Sequence, residues 1–398
     1  MRALVLTTSY PVRPGHLGGR FVADLLRELG GTGWEFDVVL PSWEGAVTEP
    51  APNVRLFPAS GLADAVSRGL AHGRGIPETL SARPWRWISS PGLVAALARE
   101  AARQLARREY ALVWSHWLLP GGVAGACVAG GRVPHVATAH GGDVHLLEQW
   151  SRLPGAGAFW NRVWSRTTLT APVRHTAERL RSVLAGREVV AAPLPSGTRR
   201  ERRDGSDPDP SGLLYLGRLE PVKGPDLLVD AYRRLCTRAG TTLTLAGTGS
   251  LESKLRRAAL GSSSPIRLSG PVEGDDKRRL LQAATALVLP SRRLADGRGE
   301  GFPHAAMEAL VQGLPVVAPH RGALGEFLAH HGAGYLYDGD GPDPDVAARL
   351  ARALERVLER PEERRRAARN AFVAGRPFSD APARDSWDAL LRTVAVAA

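Results

Sequence analysis

The stretch Glu300–Ala318, EGFPHAAMEALVQGLPVVA, leads through a helix-forming segment into a short apolar run. The apolar residues Ala286–Leu289 before it are typical of a buried parallel strand, and Val316–Ala318 at its end are typical of another. Between them the sequence predicts a helix over Phe302–Gln312 that ends at Gly313. A strand, a helix and a second strand in this order predict a parallel sheet with helices on its faces.

Two glutamates frame this helix. Glu300 precedes the helix and Glu308 lies within it, so a rise of about 1.5 Å per residue puts the two carboxylates roughly 12 Å apart. That separation matches opposite ends of a nucleotide sugar. The start of the helix lies between them, and its unpaired N–H groups are suited to binding a diphosphate.

The Glu-x7-Glu frame, its glycine and aromatic residue, and the Gly-x-Pro-Val-Val-Ala that follows resemble a family signature. The family is the large family 4 type of retaining glycosyltransferases, with two Rossmann-like domains facing across a central cleft (GT-B architecture, α/β class). The resemblance implies that Glu300 contacts the donor sugar and that Glu308 holds the ribose hydroxyls. It also places Gly301, Phe302 and Pro303 in the donor site, although the family often has small or aliphatic residues at Pro303 and at the position after it.

The rest of the chain predicts two domains of similar size, as its 398 residues suggest. Strand and helix patterns alternate over residues 1–195, the predicted N-terminal acceptor-binding domain, and again over residues 213–378, the predicted nucleotide-sugar domain. Residues 196–212 are rich in Pro, Ser, Gly and Asp, which is typical of a linker. By resemblance, residues 379–398 form a terminal helix that crosses back to the first domain.

Cations and glycines follow the first two strands of the second domain. Arg218 and Lys223 lie in a Gly-Arg-Leu…Lys-Gly run, and a guanidinium fork with a movable ammonium suits the charge of a diphosphate leaving group. The family uses an Arg and a Lys at this spacing for that purpose. Gly247 and Gly249 follow the next strand and allow the backbone to approach the nucleotide. Base recognition is expected between Gly270 and Asp275.

The first domain carries the candidate acceptor and reacting centre. The run Thr-Ala-His-Gly-Gly-Asp that ends at Asp143 resembles the family's Thr-x-His-Gly-x-Asp element, in which the imidazole contacts a sugar hydroxyl. His140 is therefore a candidate catalytic residue, with His116 and Asp143 as weaker acceptor-binding candidates. Gly18 and Gly19 belong to a glycine-rich loop that would close on the donor diphosphate.

The charge of the chain bears on two possible partners, an anionic membrane and a nucleic acid. The net charge is +12, of which residues 1–199 contribute +8, from 22 Arg and no Lys against 14 acids. A basic surface leaves peripheral association with an anionic membrane open, and Pro84–Ile88 is a candidate for insertion. Arginine bias from codon composition explains the charge equally well. No basic run interleaved with aromatics indicates nucleic-acid binding. No secretion signal or membrane-spanning run is evident, so the sequence predicts a cytoplasmic chain, with the inner face of the membrane as the site of any peripheral association.

Two cysteines and eleven histidines give no metal-ligand spacing. Cys127 and Cys236 both lie in apolar helical contexts, which predicts buried free thiols. No Asp-x-Asp stands between a strand and a loop to chelate a metal-bound diphosphate. We therefore expect no essential metal and no cofactor, with a nucleotide-diphosphate sugar as co-substrate.

The predicted activity is retaining transfer of a hexosyl or N-acetylhexosaminyl group, with a UDP-sugar as the expected donor. By resemblance, the acceptor hydroxyl attacks from the side of the leaving group, and the departing diphosphate accepts its proton. The acceptor is a lipid-linked or polysaccharide precursor, or a small polar metabolite such as an aminocyclitol. Two alternatives stay open: a two-domain nucleotide-sugar epimerase or hydrolase, and a non-catalytic nucleotide-sugar-binding scaffold.

Overall fold

The computed structural model describes residues 1–12, 18–43, 49–60, 90–198, 200, 212–235, 241–262, 265–294 and 299–396. The chain divides into two compact units. One unit comprises Met1–Pro195 with Ala383–Ala398, and the other comprises Ser196–Pro382. Each unit holds one parallel sheet with helices in alternation, which confirms the predicted class of two Rossmann-like domains.

The first unit contains a seven-stranded sheet. Its strands are β1 (Arg2–Leu6), β2 (Glu35–Pro41), β3 (Val54–Ala59), β4 (Leu112–His116), β5 (His135–Thr138), β6 (Thr167–Ala171) and β7 (Val190–Ala191). The order β3-β2-β1-β4-β5-β6-β7 reverses between β1 and β4. In such sheets ligands bind outside the carboxyl ends of the strands at the reversal, so this edge is where a site is expected.

Helices and one irregular turn connect these strands. The helices are α1 (Arg20–Gly30), α2 (Ser90–Arg107), α3 (Val123–Ala129), α4 (Gly142–Trp150), α5 (Ala156–Val163) and α6 (Arg174–Val183). A π-type turn over Leu118–Gly122 joins β4 to α3 and contains a cis peptide bond between Leu119 and Pro120. This turn directly follows β4, at the same edge of the sheet as the reversal.

The second unit repeats the pattern with six strands. They are β8 (Gly212–Leu216), β9 (Thr242–Ala246), β10 (Ile266–Gly270), β11 (Ala286–Val288), β12 (Val316–Pro319) and β13 (Gly334–Tyr337). The order β10-β9-β8-β11-β12-β13 reverses between β8 and β11. The expected site therefore lies beyond β8 and its two neighbours.

The helices of the second unit begin with a 3₁₀ turn at Pro221–Lys223 that leads into α7. They are α7 (Pro225–Arg233), α8 (Glu252–Leu260), α9 (Gly274–Ala283), α10 (His304–Val311), α11 (Gly322–His331), α12 (Asp343–Glu359) and α13 (Pro361–Ala374), followed by a 3₁₀ turn at Arg376–Phe378. Helix α10 is shorter than the predicted Phe302–Gln312. Pro303 occupies the cap position before α10 in an extended conformation, which delays the start of the helix.

Buried apolar side chains lie on both faces of the first sheet. On one face, Leu4 and Val113 pack with Leu97 of α2, and Ala137 and Leu169 belong to a second cluster with the α5–α6 region. On the opposite face, Val5 and Trp114 are fully buried as well. A third cluster fills the second unit and includes the strand residue Leu243. Cover on both faces explains why these strands are continuous apolar runs rather than alternating ones.

The last helix, α14 (Asp380–Val396), starts in the second unit and continues into the first. Trp387 is fully buried, and its indole N–H donates to the Pro193 carbonyl at 2.9 Å. The Asp388 carboxylate accepts from the Trp34 indole at 2.8 Å and from the Thr32 hydroxyl at 2.9 Å. These contacts anchor the C-terminal segment to the first unit.

One prediction is wrong and several lie outside the described residues. Cys127, predicted to be a buried thiol, is exposed, because it lies on the outer face of α3. Its apolar sequence neighbours indicate the helix but not the direction in which this side chain points. The predictions for Cys236, Pro84–Ile88, linker residues 201–211 and loop residues 14–17 lie outside the described part of the chain.

Candidate functional site

In the first unit, the ends of β4 and β5 bring two histidines together. His116 is the last residue of β4, and His140 follows β5, its neighbour in the sheet. His116 Nδ1 lies 3.1 Å from His140 Nε2, and the two rings are stacked with centroids 5.3 Å apart. His116 is fully buried, whereas His140 is half-buried. Of the two, His140 is therefore the one placed to meet a ligand.

Both imidazoles are held in the neutral form. Burial lowers the pKa of His140 to about 3, and burial together with the neighbouring His140 lowers the pKa of His116 well below its ordinary value. Each neutral ring carries one proton. Within the described residues His116 Nε2 is buried and has no hydrogen-bond partner. Because unpaired buried N–H groups are rarer than unpaired acceptors, this favours a proton on His116 Nδ1, which then donates to His140 Nε2.

Asp143 holds the backbone around this pair. It is 3% exposed, and its Oδ1 accepts from the backbone N–H groups of His140 at 2.9 Å and of Val144 at 3.0 Å. Its Oδ2 accepts from the N–H of Leu118 at 2.8 Å. Burial raises the pKa of Asp143, although the three backbone hydrogen bonds oppose the shift. This geometry favours a positioning role for Asp143 over direct contact with an acceptor.

Aromatic rings surround His140. The ring of Trp117 is 4.6 Å from the imidazole centroid, and that of Phe21 on α1 is 4.9 Å from it. Trp117 has φ 61°, which is rare outside glycine, and such backbone strain clusters at functional sites. Phe21 stands two residues beyond Gly19, the residue that caps α1. The Gly18–Gly19 end of the glycine loop therefore belongs to the same side of the unit as His140.

Gly19 is required by geometry. Its φ is 73°, and a Cβ at this position would collide with the backbone carbonyl of Ser9. The chain after β1 and the start of α1 therefore approach each other more closely than any side chain permits. The loop end at Gly18 and Gly19 is fixed by this close approach.

In the second unit, the predicted cation loop follows β8. Arg218 is half-buried there, and its backbone carbonyl accepts a hydrogen bond from the Tyr215 hydroxyl at 2.6 Å. Gly247 follows the adjacent strand β9 with φ 144°, and a Cβ there would collide with the Gly217 carbonyl. A Cβ on Gly249 would collide with the Leu219 backbone. The glycines therefore let the loops after β8 and β9 pack backbone against backbone.

Lys223 and Glu300 form an ion pair, although 77 residues separate them in sequence numbering (300 minus 223). Lys223 ends the 3₁₀ turn after β8, and Glu300 lies in the loop after β11, the neighbouring strand. The Ser291 hydroxyl donates to the other carboxylate oxygen of Glu300 at 2.5 Å. The structure thus brings two predicted catalytic residues together and adds Ser291 as a positioning partner.

Glu308 lies on α10 and is 4% exposed. The Lys277 ammonium on α9 donates to its Oε1 at 2.6 Å, and His304 Nδ1 lies 3.4 Å from the same oxygen. Burial opposes the charge on Glu308, but the hydrogen bond and charge of His304 and the ammonium of Lys277 outweigh it and hold its pKa below the ordinary value. The Glu308 carboxylate is thus both buried and charged, and it lies beside the start of α9.

The three residues between Glu300 and α10 have different environments. Gly301 faces open space, Pro303 is buried, and the Phe302 ring packs on Phe327 and Phe378 with centroids at 5.1 and 5.4 Å. The Phe302 side chain therefore serves an aromatic cluster, which leaves its backbone for donor contact. No side chain caps the start of α10, so the first amides of the helix keep their capacity to donate.

Sequence reasoning missed Lys277, Ser291 and Phe21. Neither a lysine in the first turn of α9 nor a serine after β11 carries a local sequence signal of the carboxylate that it contacts. Among the residues that the structure describes, no group of three or more His, Cys, Asp or Glu side chains is arranged to hold a metal ion. In the same part of the chain, the helices are too short or too polar to span a bilayer.

Two family models match the chain, one in each unit. The model described as Glycosyltransferase Family 4 matches residues 18–193, and the model described as Glycosyl transferases group 1 matches residues 198–373. With the two Rossmann-like sheets, these matches define the class as GT-B glycosyltransferases. The chain belongs to the family 4 type of that class.

Curated relatives share about a quarter of their residues with the chain. A GDP-mannose-dependent monoacylated alpha-(1-6)-phosphatidylinositol monomannoside mannosyltransferase of Corynebacterium glutamicum is 27% identical over 343 residues, which cover 81% of this chain and 86% of that protein. A D-inositol 3-phosphate glycosyltransferase of Acidothermus cellulolyticus is 27% identical over 379 residues, covering 87% and 79%. The chain spans about half the length of the first curated relatives it matches, 55% and 46%.

A solved structure supports the fold over the full length. The crystal structure of Anabaena HepE in complex with UDP-glucose has a TM-score of 0.65 and 18% sequence identity, and the match covers 99% of this chain and 100% of that one. At this identity the likeness concerns the fold alone.

Proposed function

We propose that this chain is a retaining glycosyltransferase that moves a hexosyl or N-acetylhexosaminyl group from a nucleotide-diphosphate sugar to an acceptor hydroxyl. The observation that carries the proposal is the ion pair between Lys223 and Glu300 at the carboxyl ends of β8 and β11. Lys223 shares its loop with Arg218, so anion-binding and sugar-binding groups lie at one reversal of a parallel sheet.

In the proposed donor site, Arg218 and Lys223 bind the diphosphate, and Glu300 accepts hydrogen bonds from sugar hydroxyls. Glu308 accepts from the ribose hydroxyls, and the uncapped start of α10 adds backbone donors. Gly247 and Gly249 keep the backbone close to the nucleotide. We propose a UDP-sugar as the donor. The UDP-glucose complex of the Anabaena protein supports this choice, and the GDP-mannose dependence named for the Corynebacterium relative is the competing case.

The proposed chemistry relies on positioning and electrostatics. As the glycosidic bond to the diphosphate breaks, charge builds on the phosphate oxygens, and the cations of Arg218 and Lys223 stabilise it without a metal ion. The departing diphosphate accepts the proton of the attacking hydroxyl on the same face of the sugar. In this scheme Lys223 exchanges part of its contact with Glu300 for phosphate, which frees that carboxylate to bind the sugar.

His140 is the proposed contact of the first unit with a sugar hydroxyl. With Nε2 engaged by His116, the ring offers Nδ1 to a ligand. We therefore assign His116 and Asp143 as positioning residues, and Gly18 and Gly19 to the adjacent phosphate-facing loop end. The neutral state of His140 suits hydrogen bonding rather than charge stabilisation.

The proposed acceptor is a hydroxyl of a lipid-linked or polysaccharide precursor, or of a small polar metabolite such as an aminocyclitol. The two relatives cover both kinds, since one is named for a phosphatidylinositol mannoside and the other for an inositol phosphate. As part of the proposal, the reaction takes place in the cytoplasm. With a lipid-linked acceptor, the chain is peripheral at the inner face of the membrane.

Thermal unfolding with UDP-, GDP-, ADP- and TDP-sugars tests the donor site. A donor at about a hundred times its dissociation constant adds roughly 2.7 kcal/mol to the native state. We expect one nucleotide class to stabilise the wild type and Glu359→Ala, an exposed control at the end of α12, but not Glu308→Ala. Failure of every nucleotide sugar to stabilise the wild type would refute the proposal. Rapid release of free sugar without any acceptor would favour a hydrolase.

A further inference from the structure

Two large apolar side chains protrude from the first unit at one place. Leu153, between α4 and α5, is 63% exposed, and Phe159 on α5 is 58% exposed. With Trp150, Pro154 and Trp160 they line an open groove of about 420 Å³. This groove is separate from the His116–His140 pair and takes no part in the proposed donor site. Exposed apolar groups of this size that lie together indicate a binding surface.

A stack of rings holds this surface in place. The Trp150 and Trp160 rings are parallel within 12° at 5.8 Å, and Trp160 and Trp164 are parallel within 14° at 5.1 Å. Trp164 is fully buried, so the stack runs from the groove into the core. Phe159 packs edge-on against Trp160 at 4.9 Å. The Phe159 side chain is therefore supported from below, and a partner need not order it on binding.

The sequence segment that forms the groove carries charge of one sign. No Asp or Glu occurs between Gln149 and Ala177 in the sequence. Of the four exposed arginines in the same stretch, Arg174 pairs with Glu178, and the other three are Arg152, Arg162 and Arg166. We call these three arginines, together with Trp150, Leu153, Phe159 and Trp160, the aromatic-arginine patch. Tryptophan and arginine beside protruding Leu and Phe match the boundary between lipid headgroups and acyl chains.

We propose that the aromatic-arginine patch docks the chain on a bilayer that carries anionic lipid. The apolar tips of Leu153 and Phe159 insert below the headgroups, and the arginines meet lipid phosphates. The patch differs from Pro84–Ile88, the segment that the sequence offers as a candidate for insertion. Phe159 and Trp160 are adjacent in the sequence, and only the structure shows that Phe159 protrudes whereas Trp160 is buried.

Two other occupants fit the patch less well. A symmetric contact with a second copy would place arginines against arginines, with no acid in the stretch to compensate. A stable protein interface buries about 20–30 residues on each side, far more than two protruding side chains and their rim provide. A bilayer supplies apolar depth and negative charge at once.

Co-sedimentation of the full chain with vesicles tests the proposal. We expect binding to phosphatidylcholine vesicles that contain phosphatidylglycerol, weaker binding to phosphatidylcholine alone, and weakening by salt. Leu153→Ser/Phe159→Ser should lower the partition coefficient by more than about tenfold. Leu260→Ser is the matched control, because Leu260 is 90% exposed on α8 of the other unit, and it should bind like the wild type.

A second variant guards against a folding defect in the first. Arg152→Gln/Arg162→Gln leaves the apolar tips intact and should reduce both the affinity for anionic vesicles and its dependence on salt. The proposal is overturned by a wild type that fails to bind anionic vesicles at low salt, or by serine and glutamine variants that bind as tightly as the wild type. Loss of dimers by light scattering in the serine variant, with no vesicle binding by the wild type, would assign the patch to self-association. No donor or acceptor is present, so failure here leaves the proposed transferase activity intact.

Discussion

The buried pair between Lys277 and Glu308 gives a stability prediction whose size depends on pH. Lys277→Met keeps the length of the side chain and removes the ammonium that lies 2.6 Å from Glu308. Removal of one partner of a fully buried ion pair costs about 3–5 kcal/mol. The Lys277 side chain is 25% exposed and His304 stays within 3.4 Å of the carboxylate, so we expect a smaller loss, about 2 kcal/mol at pH 7.

The loss should shrink as the pH falls. In the wild type the pKa of Glu308 lies below its ordinary value, so this group stabilises the fold above the unfolded-state pKa, and the benefit is lost only as the pH falls through the folded-state value. In Lys277→Met the ammonium no longer opposes burial, so the pKa of Glu308 rises above its wild-type value. The buried charge is then a penalty at pH 7 that protonation relieves, so the variant should gain stability relative to the wild type between pH 7 and about pH 5.

Thermal and urea unfolding at the two pH values measure this difference. A loss of about 2 kcal/mol lowers the melting temperature of a unit of this size by about 4–8 °C. Arg279→Met on the same helix is the matched control, because its pair with Asp276 is exposed, and it should have no measurable effect at either pH. A loss in Lys277→Met that is equal at pH 5 and pH 7, or no larger than that of Arg279→Met, would refute the reasoning.

Three further predictions concern the candidate site residues of the two units. His116→Phe removes the group that donates to His140 Nε2, so the His140 proton should move to that nitrogen. The NMR shifts of the ring nitrogens measure this, and shifts unchanged from the wild type would contradict the assigned tautomer. Lys223→Gln should lower kcat by about 10²–10³ with little change in donor Kd. Glu308→Ala should instead weaken donor binding by about 10–100-fold. If each variant changed kcat and Kd equally, this division of roles would be wrong. Gly247→Ala should lower the melting temperature and donor affinity together, because its Cβ collides with the Gly217 carbonyl at φ 144°, and calorimetry that shows neither change would argue against the close approach.

Local patterns were enough to predict the fold and to place Arg218 and Lys223 after the first strand of the second unit. The apolar runs that become β11 and β12, with a helix between them, indicate a parallel sheet directly. Strands of such a sheet are covered on both faces and are therefore apolar throughout. Arg218 and Lys223 follow the first strand of their unit, and the carboxyl edge of such a sheet is where ligands bind. The sequence therefore places these residues at the carboxyl edge of the sheet, although it does not show which side chains touch.

Contacts that depend on distant segments were not predictable. Ser291 reaches Glu300 because both lie in the long loop after β11, and Lys277 reaches Glu308 because α9 and α10 are brought together in the second unit. The sequence predicts that Phe302, next to Glu300, belongs to the donor site. Its ring packs instead on Phe327 and on Phe378, which is 76 residues away (378 minus 302). A side chain's role is set by neighbours that no local window contains.

The histidines show that the surroundings of a side chain decide whether it supports the fold or can bind a ligand. His135 is buried between the Ser115 and Thr167 hydroxyls, both at 2.9 Å, so both of its ring nitrogens have partners within the protein. His140 follows the opposite, carboxyl end of the same strand and has an equally lowered pKa of about 3, but its only ring-nitrogen contact in the described part of the chain is with His116. The pKa therefore does not distinguish the two residues, whereas hydrogen-bond capacity does. A histidine that keeps one nitrogen for a ligand, beside a strained Trp117 and at the end of a strand next to the reversal, is the one that a transferase can use.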